Sequence, residues 1–161
     1  MREISKKIVL LGNESVGKTS LIKQYVHSIF SEEYLSTIGI NISKKTVVLG
    51  DTTYKLLIWD VAGDLMNEKL YDAYLRGTHA FLLVFDSTRE ETYHAIMKER
   101  EVLNSYFPEV TKLIVGNKAD LLESNPPSFE CNYDLLTSAK TGENVEGAFM
   151  ELAKRINDGQ G

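Results

Sequence analysis

The chain is poor in cysteine and has no long apolar run, and each shortage excludes a class of protein. Cys131 stands alone among 161 residues, so no internal disulfide can form, which fits a reducing compartment. No stretch reaches the roughly 18 consecutive apolar residues that cross a bilayer, and Met1-Arg2-Glu3-Ile4-Ser5-Lys6-Lys7 holds no apolar signal segment. The expectation is a soluble, cytoplasmic protein. Positive charge is in deficit too: 18 Lys and Arg against 23 Asp and Glu leave a net charge of -5. That balance argues against sequence-independent binding to nucleic acid or to anionic lipid, both of which want a basic face. A phosphate-bearing small molecule is still admitted, because backbone amides and one lysine bind it locally. What is present is ordinary for a globular chain, 43% hydrophobic and 25% charged, with a length that suits one domain over residues 1–161.

Short apolar runs recur along the chain. Ile8–Leu11 runs straight into Gly12; Thr46–Leu49 and Tyr54–Trp59 flank Gly50-Asp51-Thr52-Thr53; Phe81–Phe85 and Leu113–Val115 each close on a turn; Tyr133–Leu136 is a weaker candidate. The Gly50 turn predicts an antiparallel hairpin. Helical spacing appears over Thr19–Phe30, over Thr88–Tyr106 with Thr88 and Glu91 spaced as a capping box, and over Val145–Ile156 after Asn144 as its N-cap. Strands alternating with helices predict an α/β fold, a mostly parallel six-stranded sheet with helices on both faces. Ligands of such sheets bind outside the carboxyl ends of the strands.

The sharpest motif stands at the first of those ends. Gly12-Asn13-Glu14-Ser15-Val16-Gly17-Lys18-Thr19 fits G-x-x-x-x-G-K-[ST], with a strand before it and a helix after it. Glycines let the backbone fold into a nest of amides around a polyphosphate, the helix offers its positive end, Lys18 adds a point charge and the Thr19 hydroxyl suits Mg²⁺. With the following Ser20, these residues are the candidate phosphate site. A second motif, Asn117-Lys118-Ala119-Asp120, closes a buried strand where a base can reach it. The Asp120 carboxylate can accept from both N1–H and the exocyclic amine of guanine, whereas adenine would set an acceptor against it. Such a site discriminates by roughly 10⁴-fold or more.

On these motifs the chain resembles a small GTPase of the Ras superfamily and is most similar to the Rab branch, over nearly its whole length. Further matches are Trp59-Asp60-Val61-Ala62-Gly63 in place of the family's W-D-T-A-G, Thr37-Ile38-Gly39 as the first switch, Ser138-Ala139-Lys140 as the last base loop, and Tyr74-Leu75-Arg76-Gly77. The resemblance implies a P-loop G domain that binds GTP or GDP with Mg²⁺ and works as a switch. Thr19, Thr37 and Asp60 would hold the metal. Gly63 would sense the γ-phosphate, Tyr34 would cover the phosphates, and Phe30, Lys118, Ala139 and their neighbours would contact the base. Losing the γ-phosphate would release both switch segments. Effectors and exchange or activating proteins would read Ile38, Ile42, Trp59, Leu65, Met66 and Tyr74, with Ile42 in place of an aromatic residue, although a Trp at strand spacing suits a core position equally well.

Three departures from the family pattern carry as much weight as the matches. Asp64 stands where the family places a water-positioning Gln; it is shorter and charged, so the γ-phosphate should repel it. Slow hydrolysis is therefore expected, with Lys18, Thr37, Gly63 and Asp64 as the candidate hydrolytic set. Glu14 occupies a phosphate-loop position where the family has a small residue: turned inward it would block an arginine finger, turned outward it is a solvated carboxylate. No arginine lies between Thr19 and Tyr54, which excludes a finger in cis from the first switch. Between Asp120 and Ser138 the pair Pro126-Pro127 forbids a helix interior, so the family's helix there should be shortened or missing; the sheet edge near Tyr133 is then either a contact surface or covered by Phe129 and its loop. Residues Ile156–Gly161 hold no cysteine for prenylation, so either a tail lies beyond this sequence or the protein works untethered. Two alternatives stand beside the slow GTPase: a hydrolysis-deficient GTP-binding interaction module, and a P-loop ATPase or kinase, which would have to bind adenine.

Overall fold

The computed structural model describes residues 2–26, 33–37, 40–61 and 71–159, with side chains for all of these except Glu14, residues 33–37, Tyr71 and Asp72. Strand β1 (Arg2–Leu11) lies centrally, because its carboxyl half is apolar on both faces. Around it the sheet runs in the order β2-β3-β4-β1-β5-β6-β7, with β2 Glu33–Thr37, β3 Ile40–Leu49, β4 Thr52–Val61, β5 Ala80–Asp86, β6 Thr111–Asn117 and β7 Leu135–Leu136. From β4 through β1, β5 and β6 to β7 all neighbours are parallel, and β3 pairs antiparallel with β4 through the Gly50-Asp51 turn. The six expected strands are all in the sheet. A seventh, β2, joins its outer edge; it has no apolar alternation, and only its antiparallel backbone pairing to β3 makes it a strand.

Side chains that alternate along the buried strands divide into two cores. Ile8, Leu10, Ile58, Leu82 and Val115 face α1 (Lys18–Val26) and α4 (Val145–Gly159), where Tyr25 stacks flat on Phe149 with centroids 4.0 Å apart. Val9, Leu11, Leu83, Phe85 and Ile114 face the other way, against Tyr93, Ile96 and Leu103 of α3 (Glu90–Tyr106). A short helix, α2 (Tyr71–Leu75), precedes β5. Every residue of β5 is buried, the pattern of a parallel strand covered on both faces. Among the described residues no helix is long and apolar enough to cross a membrane.

Two helix caps differ from expectation. Thr88 does not cap α3; its N–H and hydroxyl both donate to Asp86 Oδ1, at 2.9 and 2.6 Å, and the helix starts at Glu90 after an uncapped Arg89. The Asn144 carbonyl accepts the Ala148 N–H, but its side-chain amide donates to the Leu136 carbonyl at 2.9 Å, so it ties α4 to β7 rather than capping it. Helix α1 is described from Lys18 to Val26; the remainder of the expected span lies outside the described residues.

After Asp120 the chain forms only a 3-10 turn, Ala119–Leu122, and among the described residues no helix follows before β7. Phe129 folds over the gap, its ring 6.3 Å from Phe85 and 6.1 Å from Tyr93, and the Asn132 N–H donates to the Tyr93 hydroxyl at 2.9 Å. Strand β7 is shorter than Tyr133–Leu136 because the Asp134 carboxylate, at 2.8 Å, takes the Ile114 N–H that a continuing ladder would need.

Candidate functional site

Leu11, Val61, Asp86, Asn117 and Leu136 are the carboxyl ends of parallel strands, so the loops that follow them gather at one edge of the sheet. The order reverses between β1 and β5, whose following connections leave to opposite sides of the sheet, and the loop after β1 is the phosphate motif. Both of its glycines are required. A Cβ on Gly12 would lie 2.4 Å from the Val84 carbonyl oxygen, and one on Gly17, at φ 94°, would lie 2.5 Å from Asn117 Nδ2. Residues Glu14–Val16 form a 3-10 turn, and α1 starts at Lys18 with no acidic residue in its first turn to compete for its positive end.

Two side chains of this motif, Lys18 and Thr19, meet Asp60 from the end of β4. Lys18 is buried, donates Nζ to the Val61 carbonyl at 2.8 Å and lies 3.6 Å from the Asp60 carboxylate. The Thr19 hydroxyl donates to Asp60 Oδ2 at 2.7 Å. A hydroxyl and a carboxylate in contact are hard oxygen donors that suit Mg²⁺, which takes few protein ligands and fills its shell with phosphate and water. Among the described residues no group of three or more His, Cys, Asp or Glu offers a cage for any other metal.

The base-side motifs meet next to it. Asn117 is buried and spends its amide on protein: Nδ2 donates to the Val16 carbonyl at 2.8 Å, while Oδ1 accepts from Thr137 Oγ1 at 3.1 Å and from the Ala139 N–H at 3.2 Å. It therefore bolts the phosphate loop to the Ser138-Ala139-Lys140 loop. Asp120 is half-buried and accepts the Ser138 hydroxyl on Oδ1 at 2.8 Å, which leaves Oδ2 and further lone pairs for a ligand. Gly17, Ser20, Asn117, Lys118, Asp120, Leu121, Ala139 and Lys140 line one cleft of about 370 Å³, a size that suits a small-molecule ligand.

Sequence reasoning missed Leu121, whose apolar side chain flanks that cleft and is 59% exposed. It missed Asp86 as well. Lys118, at φ 67°, turns its ammonium onto Asp86 Oδ2 at 3.1 Å, a pairing that no spacing signals. Burial works against the Asp86 charge, but the Thr88 hydroxyl and N–H and the Lys118 ammonium outweigh it, holding its carboxyl below the ordinary range.

The expected partner surface is assembled in part. Ile42 and Trp59 are cross-strand neighbours, with Ile42 buried and Trp59 half-buried. Lys7 Nζ sits 3.8 Å above the Trp59 ring and donates to the carbonyls of Tyr74 and Arg76, which draws Tyr74 to the same face. Trp59 Nε1 is buried with no hydrogen-bond partner among the described residues. Phe30, Ile38, Gly63, Asp64, Leu65 and Met66 lie outside the described residues, as do the side chains of Glu14, Tyr34 and Thr37.

Comparison with known proteins agrees with this arrangement. The Ras family model matches residues 7–158. The Ras-related protein RIC1 of Oryza sativa is 36% identical over 162 residues, spanning 94% of this chain and 80% of its own length. The Ras-related protein Rab-1 of Theileria parva is 36% identical over 164 residues, spanning 94% of this chain and 74% of its own length. The GTP-binding protein YPT1 of Saccharomyces cerevisiae is 33% identical over 162 residues, spanning 94% and 79%. A mostly parallel sheet with a phosphate loop at its switch point, an Asp120 held by Ser138 beside the cleft, and these matches agree: the chain belongs to the Ras family, with its similarity on the Rab side.

Proposed function

We propose that the chain is a guanine-nucleotide switch that hydrolyses GTP to GDP and phosphate, and does so slowly. The observation that carries this reading is the cleft where Gly17, Asp120 and Ala139 meet, with the Asp120 carboxylate oriented by Ser138. The phosphate-loop amides, the α1 N-terminus and Lys18 bind the polyphosphate. Asp120 accepts from the guanine N1–H and exocyclic amine, Leu121 covers an apolar flank of the base, and Phe30, Lys118, Ala139 and Lys140 complete its pocket. Thr19 and Asp60, with Thr37, would hold Mg²⁺, which supplies charge neutralisation at the β- and γ-phosphates when bound. The Gly63 amide senses the γ-phosphate and Tyr34 covers it. Asp64 sets the rate: its carboxylate is repelled by the γ-phosphate and aligns water poorly. Effectors and exchange proteins read the face built by Ile42, Trp59 and Tyr74 with Ile38, Leu65 and Met66 beside it.

Single-turnover hydrolysis of bound GTP tests the reading. Phosphate release is expected over minutes to hours, and Asp64→Gln is expected to speed it roughly tenfold. No release over many hours in either protein would instead identify a hydrolysis-deficient binding module. Release by the Asp64→Gln variant no faster than by the parent would overturn the account of the slow rate.

A further inference from the structure

The chain has five arginines, Arg2, Arg76, Arg89, Arg100 and Arg155, and among the described residues only Arg89 places its side chain on the phosphate loop. Its Nη1 donates to Ser15 Oγ at 2.7 Å, and its Nε donates to Glu91 Oε1 at 2.8 Å. Two of five guanidinium N–H groups are thus used, on a side chain that is 45% exposed at the rim of the loop. The backbone beneath it is fixed: the Arg89 N–H donates to the Asp86 carbonyl at the end of β5, and its own carbonyl accepts the Thr92 N–H and hydroxyl at the start of α3. A cation anchored between the end of β5 and the start of α3 therefore holds Ser15 of the loop that would cradle a polyphosphate.

We propose that Arg89 is a positioning residue, a latch in cis on the phosphate loop that slows nucleotide release and favours the triphosphate. It rests on the guanine-nucleotide reading above. Two physical effects combine. The bond to Ser15 resists opening of the loop, and the positive charge attracts a ligand that bears one more negative charge as GTP than as GDP. Glu91 holds the guanidinium in place and offsets part of its charge, so the effect is moderate and falls with added salt.

Dissociation of fluorescent GDP and of a non-hydrolysable GTP analogue is measured at low and high salt for wild type, Arg89→Ala, Arg89→Lys, Ser15→Ala and the charge-matched control Arg100→Ala, an exposed residue of α3. Arg89→Ala is expected to release GDP about fivefold faster and the GTP analogue faster still, with a weaker salt dependence. Arg89→Lys keeps the charge and falls between; Ser15→Ala loses the tether without touching α3 and speeds both nucleotides alike; Arg100→Ala matches wild type. A purely structural role would lower thermal stability without separating di- from triphosphate. Wild-type protein that holds GDP, together with Arg89→Ala and Ser15→Ala release rates within twofold of it, overturns the proposal alone. Wild-type protein that holds no guanine nucleotide overturns the reading of the site and the proposal with it.

Discussion

Asp120→Asn is expected to weaken GDP binding by roughly a thousandfold, about 4 kcal/mol, while leaving the fold in place. The carboxylate is half-buried at the cleft and already takes the Ser138 hydroxyl on one oxygen. Guanine presents two adjacent donors, N1–H and the exocyclic amine, and a carboxylate meets both. An asparagine amide keeps one acceptor and turns its NH₂ toward a donor, so one buried polar contact becomes a repulsion. Xanthine carries a carbonyl where guanine carries its amine, and the same amide can donate to it. The variant is therefore expected to prefer xanthosine diphosphate over GDP, and titration with both nucleotides reads the reversal. An equal change in affinity for both nucleotides would show that Asp120 does not read the base.

Asn117→Ala should be the most damaging single truncation at the site. Its side chain joins the Val16 carbonyl to Thr137 and to the Ala139 N–H, in a place with almost no solvent. Removing it strands three polar groups, each worth about 1–3 kcal/mol when left unpaired, though neighbouring loops relax to recover part of that. A net loss of about 3 kcal/mol is expected, read as a melting temperature lower by roughly 6–12 °C for a chain of this length. GDP affinity should fall as well, by at least about a hundredfold, because the phosphate loop and the base loop lose their common anchor. Calorimetric melting and GDP titration check the two effects. A melting temperature within about 2 °C of the parent, with GDP binding intact, would refute the bolt.

The phosphate loop was legible in the amino-acid sequence because all its requirements are contiguous: a buried strand, glycines at fixed offsets, and Lys18 and Thr19 opening a helix. The same holds for the parallel architecture, which follows from apolar runs too short for helices alternating with helical spacing. What could not be read depends on partners far along the chain. Asn117 reaches back 101 positions to Val16, and nothing in Asn-Lys-x-Asp announces that its amide is spent on protein rather than ligand. Thr88 carries a capping-box spacing, but the helix starts one residue later than that spacing requires, with Arg89 at its N-cap, and the Thr88 N–H and hydroxyl donate to the Asp86 carboxylate instead. Asp134 ends the β6–β7 ladder by replacing a backbone acceptor with its side chain, which strand propensity cannot express. The absence of an arginine in the first switch was plain, but the arginine that does reach the phosphate loop comes from the far side, after β5.

Base selection by Asp120 within the shared cleft is the central claim, and equilibrium competition between GDP and ADP for the wild-type chain in the presence of Mg²⁺ tests it most directly. ADP is expected to displace bound GDP only at concentrations roughly 10⁴-fold higher, because adenine sets an acceptor against the Asp120 carboxylate. Displacement at comparable concentrations, or tighter binding of ADP, would contradict it.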